Sequence, residues 1–400
     1  MRSIALKAVA VAIAICGTVA VRPAVPRAIA ATEGQPHQAQ VQTSFLTPPR
    51  AVRGDDGNVH LAYEMRITGF YPGDAPLRLQ RLAVYLDDSA VPLTTIEGTA
   101  LSSLLSRLPE KEEGGIAIGE GETRTLFLWL TLPSGARPAS LRHQLSFAEP
   151  GGGIERADDI RLKVVPAAPI VIGPPLRGGR WLAVEGPGNR RSHHWGSMVA
   201  IDGTLSIPQR FATDWFGLDA GNHSVRGAHD SLASTTDLDW IGYRSDVLAV
   251  ADGVVVDARD GAPDGKPLAP MATPDDLTAR TLYGNFVVIR IAPGVYAHYA
   301  HLDRGSVKVR IGDHVRRGMV IGRLGQTGAA GAPHLHFHLS DRATFERSEG
   351  LPYVILSFTA LGRTTVEATF DPATPVRLEP SPAGRRRAEL PLDGSVVAFP

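Results

Sequence analysis

Three histidines, His334, His336 and His338, alternate with Leu335 and Phe337 in a segment that follows a glycine-rich turn. On a β-strand successive side chains face opposite ways, so the three imidazoles share one face and the two apolar side chains the other. Imidazole is a common zinc ligand, and its proton affinity suits acid–base work near neutral pH. A second segment, VYAHYAHL at 295–302, places His301 on the face of Tyr299 and His298 on the opposite one. Together with Asp214 in RFATDW, the residues His301, His334 and His336 make a set able to hold a hydrolytic Zn2+. Two imidazoles and a carboxylate leave a fourth position for water, whose pKa the metal lowers towards about 7.

Such a set needs strands to carry it, and period-2 apolar patterning runs through most of the chain. Val59, Leu61, Tyr63, Met65 and Ile67 alternate with other residues, and similar alternation returns near 82–86, 126–132, 141–147 and 160–164. Leu101, Leu104, Leu105 and Leu108 are spaced as one helical turn after another. Many short strands between Gly, Pro and Asp turns predict an immunoglobulin-like β-sandwich over 45–166. Residues 167–190 are rich in Pro and Gly and read as a connector. Histidines and glycine punctuation thicken over 191–360, a second, β-sheet-rich domain. There an Asp202-Gly203 turn predicts a hairpin of 197–201 with 205–214. The stretches 217–239 and 257–282 read as insertions that wall a groove. Residues 361–400 form a C-terminal extension, with Arg385, Arg386 and Arg387 in a solvated loop. The fold class is mostly β.

Lys+Arg and Asp+Glu both number 41 in 400 residues, which excludes the basic field of a nucleic-acid binder. Arg2 and Lys7, the apolar run 8–21 and the small residues after it predict a signal peptide over 1–31. The run is short for a membrane span, so the expected product is exported, periplasmic or extracellular, with no membrane contact beyond the signal. The one cysteine, Cys16, lies within that run and leaves the mature chain without disulfide or thiol chemistry.

Five blocks occur in a recognisable order: ADGVV at 251–255, GNFVVI at 284–289, YAHL at 299–302, IGDHVRRGMVIGRLGQTG at 311–328 and PHLHFH at 333–338. Over about 190–345 the chain resembles the lysostaphin/LytM-type zinc metalloendopeptidases, which cut peptide cross-links in bacterial cell walls. The resemblance implies that His336 and Asp214 bind zinc, that His301 and His334 flank the reacting water and carbonyl, and that the substrate is a peptidoglycan peptide. The block around 311–324 also resembles a biotinyl or lipoyl carrier, but no lysine follows Lys308, so that reading fails.

One departure matters. The family's upstream motif is His-x-x-x-Asp, and four residues before Asp214 stands Arg210, which has no lone pair for a metal. A two-residue turn at 202–203 would set residue 193 opposite 212, on the face of Asp214, whereas a longer loop or bulge favours 194. Resemblance to divergent relatives with one histidine ahead of an RFAxDW segment favours His194, and His193 is the alternative. His338, where the family usually has glutamate, is a third candidate for that ligand, though it is expected beside the metal ligands rather than among them. His60, His143, His223, His229 and His298 are expected to be structural or on the surface. The expectation is therefore an exported zinc metalloendopeptidase with metal on His194, Asp214 and His336, and His301 and His334 as catalytic residues. The second reading is a degenerate, non-catalytic domain that binds the wall or activates another hydrolase.

Overall fold

A computed structural model describes residues 37–72, 75–105, 114–227, 229–269, 278–381 and 383–400. The signal-peptide expectation, with Cys16, lies outside the described residues, as does Leu108 of the leucine-spaced helix.

The alternating segments become strands of two sheets. One holds β1 (Val41–Phe45), β2 (Val59–Gly69) and, paired to β2, β4 (Thr123–Leu132). The other holds β3 (Leu77–Leu86), β5 (Ser140–Ala148) and β6 (Ile154–Lys163). Leu61, Tyr63, Met65 and Ile67 of β2 meet Leu82, Leu128, Leu145 and Phe147 in a shared core between the sheets. The leucine-spaced segment is a single short helix, Gly98–Ser102, with Leu101 and Leu104 buried.

A larger sheet carries the second half of the chain. Its strands are β7 (Ile170–Ile172), β8 (Arg180–Val184), β9 (Thr213–Leu218), β10 (Gly253–Arg259), β11 (Phe286–Ala292), β12 (Val295–Ala300), β13 (Leu335–Ser340), β14 (Tyr353–Arg363) and β15 (Ser395–Ala398). They lie in the order β7-β14-β15-β8-β9-β13-β12-β11-β10, with His314–Val315 beyond β10. Leu335, Phe337 and Leu339 of β13 are buried beneath, with Tyr299 and Trp215.

Three boundaries differ from expectation. Residues 167–190 are not a connector: β8 lies between β9 and β15 inside the sheet, with Trp181, Leu182 and Ala183 buried. Its four apolar residues are too few to stand out among the surrounding prolines and glycines. The extension 361–400 also returns to the sheet, because Val396 and Val397 of β15 pair with β8 and β14. Arg385, Arg386 and Arg387 belong to an edge strand, Gly384–Glu389, paired with β14 rather than to a loop. The hairpin turn at Asp202-Gly203 has two residues, but its arms are only Val199–Ile201 and Thr204–Ser206. Asp214 sits on a separate strand paired with β8 and β13.

Candidate metal centre

Register brings the acid and the histidine together. Asp214 of β9 lies directly opposite His336 of β13, and Ala300 of β12 lies opposite His336 on its other side. Ala300 is small, so the row leaves space above the sheet. His336 Nδ1 stands 3.0 Å from Asp214 Oδ1.

His194 arrives by a different route from the hairpin register. It sits in a turn after β8, whose last residue, Val184, is the register partner of Asp214. The Glu185 carbonyl gathers that turn: it accepts from Ser192 Oγ at 2.7 Å and from His194 Nδ1 at 2.9 Å. Donation from Nδ1 leaves the lone pair of a neutral imidazole on Nε2. That nitrogen lies 3.1 Å from His336 Nδ1 and 3.4 Å from Asp214 Oδ1. His193 also brings a ring nitrogen within 4.8 Å of the His194 and Asp214 donors. Its ring is exposed, however, and its Nδ1 faces the Glu185 carboxylate at 3.2 Å.

These separations suit a small tetrahedral cation. Donors about 2.0–2.1 Å from such an ion lie about 3.3 Å apart along each edge of the tetrahedron. The three donors are soft-to-hard in the mixture zinc accepts, two imidazoles and one carboxylate, and all three residues are buried.

His301 and His334 stand beside this set, with ring centroids 4.8 Å apart. His334 donates from Nδ1 to the Ala332 carbonyl at 2.7 Å, stacks on Phe216, and turns Nε2 to within 3.4 Å of Asp214 Oδ1. His301 donates from Nδ1 to the Thr327 carbonyl at 2.7 Å. Strand parity alone would aim it at the opposite face, with Tyr299, and would set His298 apart from it. Instead His301 follows the end of β12 with φ +63°, the left-handed region, and its ring swings towards His334 and His336. His298 stays in register opposite His338, on the face of His336. The expected separation of His298 from the site's face is therefore reversed. Gly284 supports the arrangement: at φ +66° it passes so close to the 325–328 turn that a Cβ would lie 2.4 Å from the Thr327 carbonyl carbon.

Charges follow the same geometry. Burial raises the Asp214 carboxyl, but His334 and His194 outweigh it and hold Asp214 well below the usual carboxylate range. Burial lowers His334, and Asp214 more than offsets that, leaving it raised. Burial, with the neighbouring imidazoles, pushes His301 well below its ordinary value.

The residues line a cleft of about 500 Å³. Its walls include Leu268 and Leu282 from the 257–282 insertion, together with Val366 and Phe370 of the C-terminal segment. Contrary to expectation, none of the described residues of 217–239 lines it; Phe216 and Asp214 of β9 stand there instead. Sequence reasoning missed Gln209, whose side-chain amide lies 3.1 Å from His336 Nε2. Arg210 turns the other way, to Glu64 and Glu349. His223 bonds Asp219 and the Thr374 carbonyl, and His229 the Arg226 carbonyl, all outside the cleft.

Comparison with known proteins points the same way. Residues 238–346 match the model of peptidase family M23. The peptidoglycan DD-endopeptidase ShyC of Vibrio cholerae serotype O1 is 39% identical over 79 residues, 18% of this chain and 18% of that protein. The DD-carboxypeptidase/endopeptidase Mpg of Neisseria meningitidis serogroup B is 49% identical over 55 residues, 14% of this chain and 12% of that one. The chain thus matches less than a fifth of the length of either relative. Among solved structures, the catalytic domain of the antimicrobial peptidase lysostaphin from Staphylococcus simulans is 19% identical, covering 43% of this chain and 88% of that one at a TM-score of 0.23. The family match holds His301, His334 and His336, while His194 and Asp214 lie upstream of it. Over residues 238–346, then, the chain is similar to peptidase family M23.

Proposed function

We propose that the protein is an exported zinc metalloendopeptidase that hydrolyses peptide bonds in peptidoglycan cross-links or stem peptides. The observation that carries this reading is the meeting of His194 Nε2, Asp214 Oδ1 and His336 Nδ1 at 3.0–3.4 Å in a cleft. Zinc held there supplies Lewis-acid chemistry, polarising a carbonyl oxygen and lowering the pKa of water. His301 and His334 each have Nδ1 engaged by a backbone carbonyl, so each turns Nε2 to the cleft. One of these nitrogens takes a proton from the attacking water, and the pair stabilises the developing oxyanion and returns a proton to the leaving amine. The apolar walls, Leu268, Leu282 and Phe370, exclude bulk water. Names of the matched relatives support a peptidoglycan substrate, and the N-terminal sequence pattern supports export. No helix of the described residues is long and apolar enough to cross a membrane.

Arg210 in place of the family's histidine favours a second reading, a degenerate domain that binds cell wall or activates another hydrolase. Zinc analysis of the purified chain and mass analysis of digested peptidoglycan separate the two. The enzyme reading expects one zinc per chain and released peptides, with His336→Ala losing both. A metal-free, inactive native chain, or a fully active His336→Ala, sinks it.

A further inference from the structure

The outer face of β2 is buried too at His60, Ala62 and Glu64. Ala62 and Glu64 point away from the sandwich core, directly opposite Trp129 and Phe127 of β4. Trp195 packs edge-on against both aromatic rings, 5.9 Å from each. Ala62, Phe127 and Trp195 belong to the same core as β9, β12 and β13.

Glu64 is 0% exposed and lies among three donors. Trp195 Nε1 donates to its Oε1 at 2.7 Å, and Arg210 donates from Nε at 2.9 Å and from Nη2 at 2.8 Å. A carboxylate withdrawn from water needs such partners, so this group is bound tightly at a fixed place. Trp195 is the residue after His194. The turn that carries the metal-ligand candidate therefore has two anchors: Glu185 of the large sheet's side, through the His194 ring, and Glu64 of the sandwich, through the Trp195 ring.

We propose that Glu64 is a positioning residue of the metal centre, holding the His194 turn through Trp195, so that the sandwich domain is a working part of the site. The inference rests on the zinc reading above. Without the bond to Glu64, the Trp195 ring loses its orienting partner and the turn regains conformations in which His194 Nε2 leaves Asp214 and His336. Arg210, the residue that replaces the family's ligand, neutralises Glu64 and makes its burial tolerable.

The test uses the full mature chain, with Zn2+ affinity measured by competition against a chromophoric chelator and geometry by the visible spectrum of the Co2+ form. Trp195→Phe removes the donor and keeps most of the ring, and it is expected to weaken Zn2+ binding about tenfold or more and to alter the Co2+ spectrum. Glu64→Ala is expected to do the same wherever it folds, and Trp195→Phe decides where it does not. Trp129→Phe disturbs the same aromatic contact without touching Glu64 and should bind like the wild type. Wild-type affinity in a folded Trp195→Phe overturns the proposal, as does an equal loss in Trp129→Phe. A wild-type chain that binds no metal overturns the zinc reading itself, and this inference with it.

Discussion

His298 and His338 lie directly opposite each other on adjacent strands, their rings stacked 4.5 Å apart with 9° between the planes. They belong to a buried hydrogen-bond chain that runs from the Arg342 carbonyl to His336 and whose direction is set at the Arg342 end. The Arg342 carbonyl accepts from Ser340 Oγ at 2.7 Å, so Ser340 Oγ in turn accepts from His298 Nε2 at 2.8 Å. Burial pushes His298 down to about 4, so the ring is neutral and its Nδ1 accepts from the Tyr283 hydroxyl at 3.4 Å. That hydroxyl accepts from His338 Nε2 at 3.3 Å, and His338 Nδ1 accepts from His336 Nε2 at 2.9 Å. Burial also pushes His336 down to about 4, so its remaining lone pair is on Nδ1, facing Asp214 and His194. The Gln209 side-chain amide nitrogen lies 3.1 Å from the same Nε2.

Tyr283→Phe cuts this chain at its middle. It strands the His338 Nε2–H and the His298 Nδ1 in the interior, at about 1–3 kcal/mol of stability. His336 is then free to populate the tautomer with its proton on Nδ1, which bonds Asp214 and opposes metal. Nitrogen-15 spectra of the metal-free chain should show one His336 tautomer in the wild type and a mixture in the variant. Zn2+ affinity should fall by about ten- to a hundredfold. Unchanged nitrogen shifts and affinity would show that the chain does not set the tautomer.

Arg210 cannot be turned back into a ligand by one substitution. Its side chain lies between Glu64 and Glu349, away from the cleft that holds Asp214 and His336. His194→Ala combined with Arg210→His should therefore bind zinc no better than His194→Ala alone. Arg210→Met should cost roughly 3–5 kcal/mol of stability, because two carboxylates lose their cation, and should weaken zinc binding as the Glu64 anchor of the His194 turn loosens. Metal titration and denaturant unfolding check these separately. Recovered zinc in the double variant would place residue 210 in the centre after all.

The apolar alternation of 59–67 told the inward face of β2 correctly, since Leu61, Tyr63, Met65 and Ile67 are all buried in the sandwich core. It could not tell that the other face is also covered, because Glu64 looks like any outward polar residue until Arg210 meets it from 146 positions away. The histidine alternation of β13 was equally legible. At His301 the pattern misled, because a left-handed backbone at a non-glycine residue leaves no mark in the residue type. Strands β8 and β15 were hidden for another reason. Each is four or five residues long, shorter than any window in which a period can be read. Gln209 had no signal at all: its place beside His336 follows from its neighbour Arg210 being tied to the sandwich.

The sandwich also carries a pH dependence of its own. His143 of β5 donates from Nδ1 to the Ile160 carbonyl at 3.0 Å, and its Nε2 meets the Tyr63 hydroxyl at 2.7 Å. Burial pushes the imidazole down from 6.5 to about 4, the carbonyl only partly opposing it. Between those values the unfolded chain binds a proton that the folded chain refuses. Unfolding free energy therefore rises with pH through this window: the contribution is complete above about pH 6.5 and is lost as the pH falls towards 4. For one group the span is at most about 3 kcal/mol. His143→Gln removes the titration while keeping a polar side chain in place. Its stability should be lower than wild type at pH 8, by about 1–3 kcal/mol from imperfect hydrogen bonding. The gap should then narrow steadily as the pH is lowered, since the variant has no proton to refuse. Chemical unfolding of both chains at half-unit steps from pH 4 to 8 measures the gap directly. A gap that stays constant across the window would mean that His143 is protonated in the folded core as readily as in the unfolded chain.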